Sequence, residues 1–100
     1  VVGFDWDDGN RAKCQTHGVT IAEIEFVFAN EPLVAPDIRH SVAEDRLVAI
    51  GTNERGRRIF VAFTVRVRDG ARLIRPISAR FMRDKEFLRY AQDGAAHDDR

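Results

Sequence analysis

Cysteine is nearly absent from this chain: Cys14 is the only one in 100 residues. A single thiol excludes an internal disulfide and a thiolate zinc site, and a reducing compartment, the cytoplasm, is expected. Long apolar runs are missing too. The longest uncharged apolar stretch is Ile59–Val65, against the ~20 residues that a membrane span needs. The first residues carry Asp5, Asp7 and Asp8 rather than a basic end followed by an apolar run, so no secretory signal is expected. No HxH, HxxxH or Cys/His spacing occurs, and there is no GxGxxG, P-loop or nucleophile elbow. These absences argue against a dedicated metal site, nucleotide kinases and the usual hydrolases, and no cofactor is expected.

Acids are scarce in one part of the chain only. Residues 55–83 hold nine arginines against the single acid Asp69, a local balance of +8, while residues 1–54 hold ten acids against four bases, a balance of −6. The formal net charge of zero hides this split. The bases are fourteen arginines and two lysines, and the planar arginine fork matches phosphate oxygens where lysine offers a point charge. A segregated field of this kind can bind a polyanion from a neutral molecule. Two readings stand: an anionic ligand or acidic partner meets the arginines, or acids of the first half, such as Asp37, Glu44 and Asp45, fold over them.

With 44% hydrophobic and 32% charged residues, the composition is that of one globular domain, expected over residues 1–94 with a flexible tail at 95–100. Val1–Trp6 reads as a short strand. Asp7 or Asp8 caps a helix expected to reach His17, with Gly18 as its C′ residue. Thr20 and Glu23 form a capping box for a second helix, whose buried stripe is Ile21, Ile24, Val27 and Phe28, with Glu23 and Glu25 facing outward. The period then changes to 2. Leu33–Ala35 reads as a short strand, Asp37–Glu44 (with His40) as an exposed loop, Arg46–Thr52 as a strand and Asn53–Gly56 as a turn. In Arg58–Arg68, Ile59, Val61, Phe63, Val65 and Val67 point one way; Arg58, Ala62, Thr64, Arg66 and Arg68 point the other, with Phe60 an aromatic on the arginine face. Asp69-Gly70 is a two-residue hairpin turn into a strand over Arg72–Ala79, in which Pro76 predicts a bulge or an unpaired side. Arg83–Asp93 is the last helix, with Phe87, Leu88 and Ala91 buried and Gly94 as its stop. The fold class is α+β: an antiparallel meander with two N-terminal helices and one C-terminal helix, collected on one face.

Taken alone, the residues indicate a nucleic-acid-facing α+β domain, and metal-free RNA cleavage is compatible with them. Attack of a 2′-hydroxyl on the adjacent phosphate needs a proton acceptor, a donor for the leaving oxygen, and cations around the phosphorane. Arginines supply the charge; His17, Tyr90, Glu86 and Lys13 are candidates for proton transfer. His17 reads equally well as a cation at a helix C-terminus.

Two blocks resemble the BrnT toxin family. Phe4-Asp5-Trp6-Asp7-Asp8-Gly9-Asn10, with Lys13-Cys14 and His17-Gly18-Val19-Thr20, is similar to its N-terminal signature. Asp45-Arg46, Ile50-Gly51, Ile74-Arg75-Pro76-Ile77-Ser78-Ala79-Arg80 and Lys85-Glu86 to Tyr90 follow its C-terminal half in order. The resemblance spans roughly residues 4–92. It implies a RelE-like fold and the toxin half of a type II toxin–antitoxin module, a metal-independent ribonuclease that arrests translation. It further implies neutralisation by a BrnA-type antitoxin with a ribbon-helix-helix region, operator DNA being bound only through that complex. His17, Arg46, Arg80, Glu86 and Tyr90 are then the expected catalytic residues, with Arg46 and Arg80 on the phosphate and His17 or Glu86 moving the proton. Lys13, Arg58, Arg66, Arg68 and Ser78 are the expected RNA contacts. Each has a structural alternative: Ser78 satisfies sheet backbone, Glu86 pairs with Arg83 or Arg89, Tyr90 joins the core. Thr16 stands where many members carry a basic residue, which keeps open an inactive module that only binds the antitoxin and regulates the operon.

Overall fold

The computed structural model describes residues 3–37 and 45–98. Their order is β1 (Gly3–Phe4), α1 (Asp8–Cys14), α2 (Ile21–Ala29), β2 (Leu33–Pro36), β3 (Leu47–Thr52), β4 (Arg58–Arg68), β5 (Ala71–Phe81) and α3 (Asp84–Asp98). Strands β2 to β5 form the expected antiparallel meander. The first strand adds itself in parallel to β5, so the five-stranded sheet runs β1-β5-β4-β3-β2. The fold is α+β. No helix among the described residues is long and apolar enough to cross a membrane.

Local chemistry explains most of the boundaries. Asp7 and Asn10 make a reciprocal capping box at α1, and Thr20 and Glu23 make another at α2. At the β4–β5 hairpin, Asp69 and Gly70 both have positive φ (52° and 79°), as a two-residue turn that follows the strand twist requires. The first helix ends at Cys14, three residues before the expected end. There the Thr16 hydroxyl donates to the Ala12 carbonyl, and backbone bonds from Gln15 to Ala12 and Thr16 to Lys13 tighten the chain into a turn. Gly18 does take a left-handed φ of 91°, but as the corner that drives Val19 into the core. The last helix, conversely, runs through Gly94. One glycine costs a helix only about 1 kcal/mol, and Ala91, Ala95 and Ala96 surround it.

The helices lie on both sides of the sheet, which corrects the one-sided arrangement expected above. On the first face Cys14, Val19, Ile24 and Val27 pack against Ala49, Ile59, Val61, Phe63 and Ile74. On the second, Val48, Ile50 and Met82 meet Phe60, Phe87 and Tyr90. The reason is legible in β3: Leu47-Val48-Ala49-Ile50 is apolar at every position, so both of its faces need cover. Phe60 is therefore the floor of a second core and no exception. Leu88 is 56% exposed, because Phe87, Tyr90 and Ala91 form the stripe that meets the sheet. Ala62 and Thr64 are also buried, so the arginine face is not wet throughout.

Several polar residues expected at the surface are structural. Asp37 is buried; its backbone N–H donates to Arg46 O, continuing the β2–β3 ladder. The remainder of that expected loop, His40 and Glu44 included, lies outside the described residues. Glu25 accepts a hydrogen bond from Trp6 Nε1 (3.0 Å), and Glu23 one from Asn53 Nδ2 (2.8 Å). Cys14 is core: burial pushes its thiol up to about 11, the opposite of a reactive cysteine.

Candidate functional site

The second sheet face owes its chemistry to Pro76. Lacking an N–H, Pro76 cannot donate to the ladder, and the register steps from Ala62↔Ser78 to Phe63↔Pro76, leaving Ile77 as the extra residue of a bulge. Side chains alternate with period 2, so one extra residue reverses the parity of everything before it. Pro76 and Ile74 thereby turn into the first core, and Arg75 comes up opposite Thr64, on the face that carries Ser78 and Arg80.

The N-terminal segment clamps this bulge. The buried Asn10 donates from Nδ2 to the carbonyls of Pro76 (2.9 Å) and Asp5 (3.0 Å), and its Oδ1 accepts from the Asp7 backbone (2.7 Å). The two donated bonds join α1 to β5 and to the segment just after β1, and the accepted one closes the cap of α1. Asp7 closes the arrangement. One oxygen caps α1, and the other accepts from Arg75 Nη2 at 2.8 Å. Asp5 reaches Arg75 (3.4 Å) and Arg68 (3.3 Å). The Asn10 backbone N–H, and then Arg75, hold the Asp7 carboxyl below its usual range, while the bond to Asp7 raises Arg75 further.

Beside this clamp lies a cleft of about 450 Å³. Its charged lining is Lys13 from α1, Arg46 preceding β3, Arg66 from β4 and Arg75 from β5, with Asp7 as the acid. Arg46 also stands 3.8 Å from Asp37. The Thr64 hydroxyl, in the same lining, is buried and finds no hydrogen-bond partner among the described residues.

A second cluster occupies the other end of the face, under α3. Arg80 and Glu86 form a two-pronged pair, Nη1 to Oε1 at 3.0 Å and Nη2 to Oε2 at 2.6 Å. The Arg80 guanidinium lies 4.5 Å above the Phe60 ring, whose other neighbour is Tyr90 at 6.1 Å. The hydrogen bonds of the pair lower the Glu86 carboxyl and raise Arg80. Arg58 stacks 3.8 Å over Phe87 and stands 3.6 Å from Asp84.

The residues singled out from sequence thus divide. Lys13, Arg46 and Arg66 meet in the cleft; Arg80, Glu86 and Tyr90, with Arg58 nearby, meet under α3. Half-buried Ser78 sits on β5 opposite Ala62, between the two. Arg68 is drawn to Asp5 at the hairpin end. His17 joins neither group. It is exposed in the turn after α1, next to Gly18, where an added Cβ would stand 3.9 Å from the Phe81 ring on the first face. The reading from sequence missed Asp7, Asn10, Thr64 and Arg75 as parts of a site; for Arg75 the sequence signal was the bulge expected at Pro76, which did not say which residue it leaves unpaired.

The second sheet face of this α+β domain thus carries arginines at both ends of a buried core, with a cationic cleft at one of them. The model of a family described as the ribonuclease toxin, BrnT, of type II toxin-antitoxin systems matches residues 6–86, and the chain belongs to that family. The match takes in both clusters up to Glu86; Tyr90 lies beyond it. The family implies an antitoxin partner. No curated protein matches the chain in sequence.

Proposed function

We propose that the chain is a metal-independent endoribonuclease of the cytoplasm, which cleaves RNA, inhibits translation and is neutralised by a BrnA-type ribbon-helix-helix antitoxin, operator DNA being contacted only through their complex. The observation that carries this reading is the convergence of Arg80, Glu86 and Tyr90 around Phe60, on the same sheet face as the cationic cleft. An RNA phosphate arriving at Arg80 competes for the fork that now holds Glu86. Once released, Glu86 regains the basicity that the pair suppresses and accepts the 2′-hydroxyl proton. The 2′-oxygen then attacks phosphorus, the bond to the 5′-oxygen breaks, and a proton from the Tyr90 hydroxyl or from water satisfies the leaving oxygen. The products are a 2′,3′-cyclic phosphate and a 5′-hydroxyl end. Arg80 stabilises the charge on the phosphorane, and Arg46 in the cleft holds the strand that carries it. The exposed position of His17 favours Glu86 over it as the base.

Purified protein in chelator is expected to cut single-stranded RNA, and an Arg46→Ala/Arg80→Ala double variant is expected to lose that activity. Unchanged cleavage by the double variant would overturn the assignment. A second reading, an inactive module acting through antitoxin binding and autoregulation, is favoured by the arginines under α3 already having carboxylates of their own chain. RNA left intact at all salt concentrations, together with tight antitoxin binding, would select it.

A further inference from the structure

We propose that the cleft between α1 and the β4–β5 bulge is a separate oxyanion site that seats one phosphate group of the RNA strand, with the Thr64 hydroxyl as its neutral donor, away from the bond-breaking end at Arg80. RNA as the source of that phosphate rests on the function proposed above; the oxyanion chemistry does not. Four cationic side chains reach the cleft from four separate segments of the chain. Several cations on separate segments suit a tetrahedral oxyanion better than a planar carboxylate, for which one arginine fork suffices.

Thr64 is the second, independent observation. It is 4% exposed and its hydroxyl is unpartnered among the described residues. A buried hydroxyl without a partner is destabilising, and valine would fill the same volume in a strand without that penalty. Threonine at this position makes sense when an oxygen arrives. The oxygen is shielded as the chain stands, so a rotamer change at Thr64 accompanies seating of the ligand. The clamp supplies preorganisation: Asn10 fixes the bulge, and Asp5 and Asp7 aim Arg75 before any ligand is present. The arrangement would hold an RNA strand at a distance from Arg80. With a rise of about 3.3 Å per residue, Arg75 and Arg80 are separated along β5 by roughly 15 Å.

The test uses the full chain and inorganic phosphate, titrated by NMR and by thermal unfolding against sodium chloride and sodium acetate at matched ionic strength. The expected result is a saturable phosphate effect that exceeds both controls. Thr64→Val should weaken phosphate about tenfold, the fold-change of a lost hydrogen bond to a charged group, while leaving the melting temperature in chloride unchanged or higher. Arg66→Ala, with the Thr64 hydroxyl intact, should weaken phosphate as well, whereas Arg72→Ala, exposed on the same strand as Arg75 but outside the cleft lining, should not. Phosphate binding by Thr64→Val equal to that of the wild type would overturn the proposal. So would an equal saturable effect of acetate, which would mark a carboxylate site for an acidic partner, or an equal loss in Arg72→Ala, which would mark a general attraction to the arginine-rich strands in place of a site. Thr64-dependent phosphate binding in a protein that leaves RNA intact would retain this site and reject the ribonuclease reading. RNA cleavage without saturable phosphate binding would do the reverse.

Discussion

The two ends of the second sheet face use the same residue type under different constraint. Under α3, Arg80 and Arg58 each meet a carboxylate from the first turn of the helix, Glu86 and Asp84. Acids there also suit the helix dipole, so the helix start satisfies its own electrostatics and the arginines in one arrangement. In the cleft, the cations come from segments far apart in sequence, and a hydroxyl is left unpartnered. Arginine at the α3 end helps dock a helix, stacked on Phe60 and Phe87; arginine at the cleft end surrounds a space. The acidic first half of the chain is partly spent on the basic second half, through Asp5 and Asp7 on Arg68 and Arg75. Of the acids expected to fold over the arginines, Asp37 is placed beside Arg46, a base of its own half.

Breaking the cleft end at its frame should have the largest effect. Asn10→Ala leaves the carbonyls of Pro76 and Asp5 and the Asp7 N–H without their partner. Buried groups left unsatisfied cost about 1–3 kcal/mol each, and partial relaxation brings the expected loss to about 3 kcal/mol, read by urea unfolding. A loss below about 1 kcal/mol would show that the clamp is not what holds the bulge. The next effect is on binding. Lys13→Ala and Arg66→Ala should each weaken a non-cleavable RNA analogue and lower the slope of log affinity against log salt by about one. Arg58 is stacked on Phe87 under α3 and lies outside the cleft, so Arg58→Ala should change that slope less, and equal changes at both ends would erase the distinction between them.

What could be read from sequence follows the range of the interactions. The Thr20–Glu23 capping box, the Asp69-Gly70 turn and the span of β4 depend on neighbours, and each was legible. The signature segment from Asp5 to Asn10 was legible as a helix start, yet its main work is done on residues 68–76, where no local pattern points. The extent of α1 failed because the Thr16 back-bond and a buried Val19 overrode the left-handed signal of Gly18. The extent of α3 failed because alanines outweigh Gly94. The second core was missed by treating Phe60 alone, although the unbroken apolar run of β3 carried the information. Of the candidate site, Arg46, Arg66 and Lys13 were named without being known to meet. Arg75 was hidden because parity along β5 can be followed only once Ile77 is known to be the unpaired residue.

The α3 end offers a smaller, pH-dependent effect. Arg80 holds the Glu86 carboxyl below its usual range, so the unfolded chain binds the proton more readily than the folded one. The stabilisation is therefore fully present above the ordinary glutamate value of about 4.3 and disappears as pH falls through the lowered folded value. Both side chains are a third or more exposed, which limits the pair to about 1 kcal/mol or less. Glu86→Gln should accordingly destabilise by at most that amount near pH 7, with the wild-type and variant curves converging in acid. A difference that persists unchanged at pH 3 would mean that Glu86 acts through packing and not through its charge.

The smallest effect separates two neighbours on α3. Phe87 faces the second core and carries the Arg58 guanidinium, whereas Leu88, one residue and about 100° further round the helix, is 56% exposed. Leu88→Gln removes little buried area and keeps a good helix former, so its effect on stability should stay within about 0.5 kcal/mol. Phe87→Ala, on the same turn, should cost several times more, because it opens the floor under Arg58 and uncovers Met82. Thermal unfolding of the two variants side by side gives the comparison. If Leu88→Gln matched Phe87→Ala, the helix would be docked by a different face, and the Arg80–Glu86 pair would no longer describe how that end of the sheet is closed.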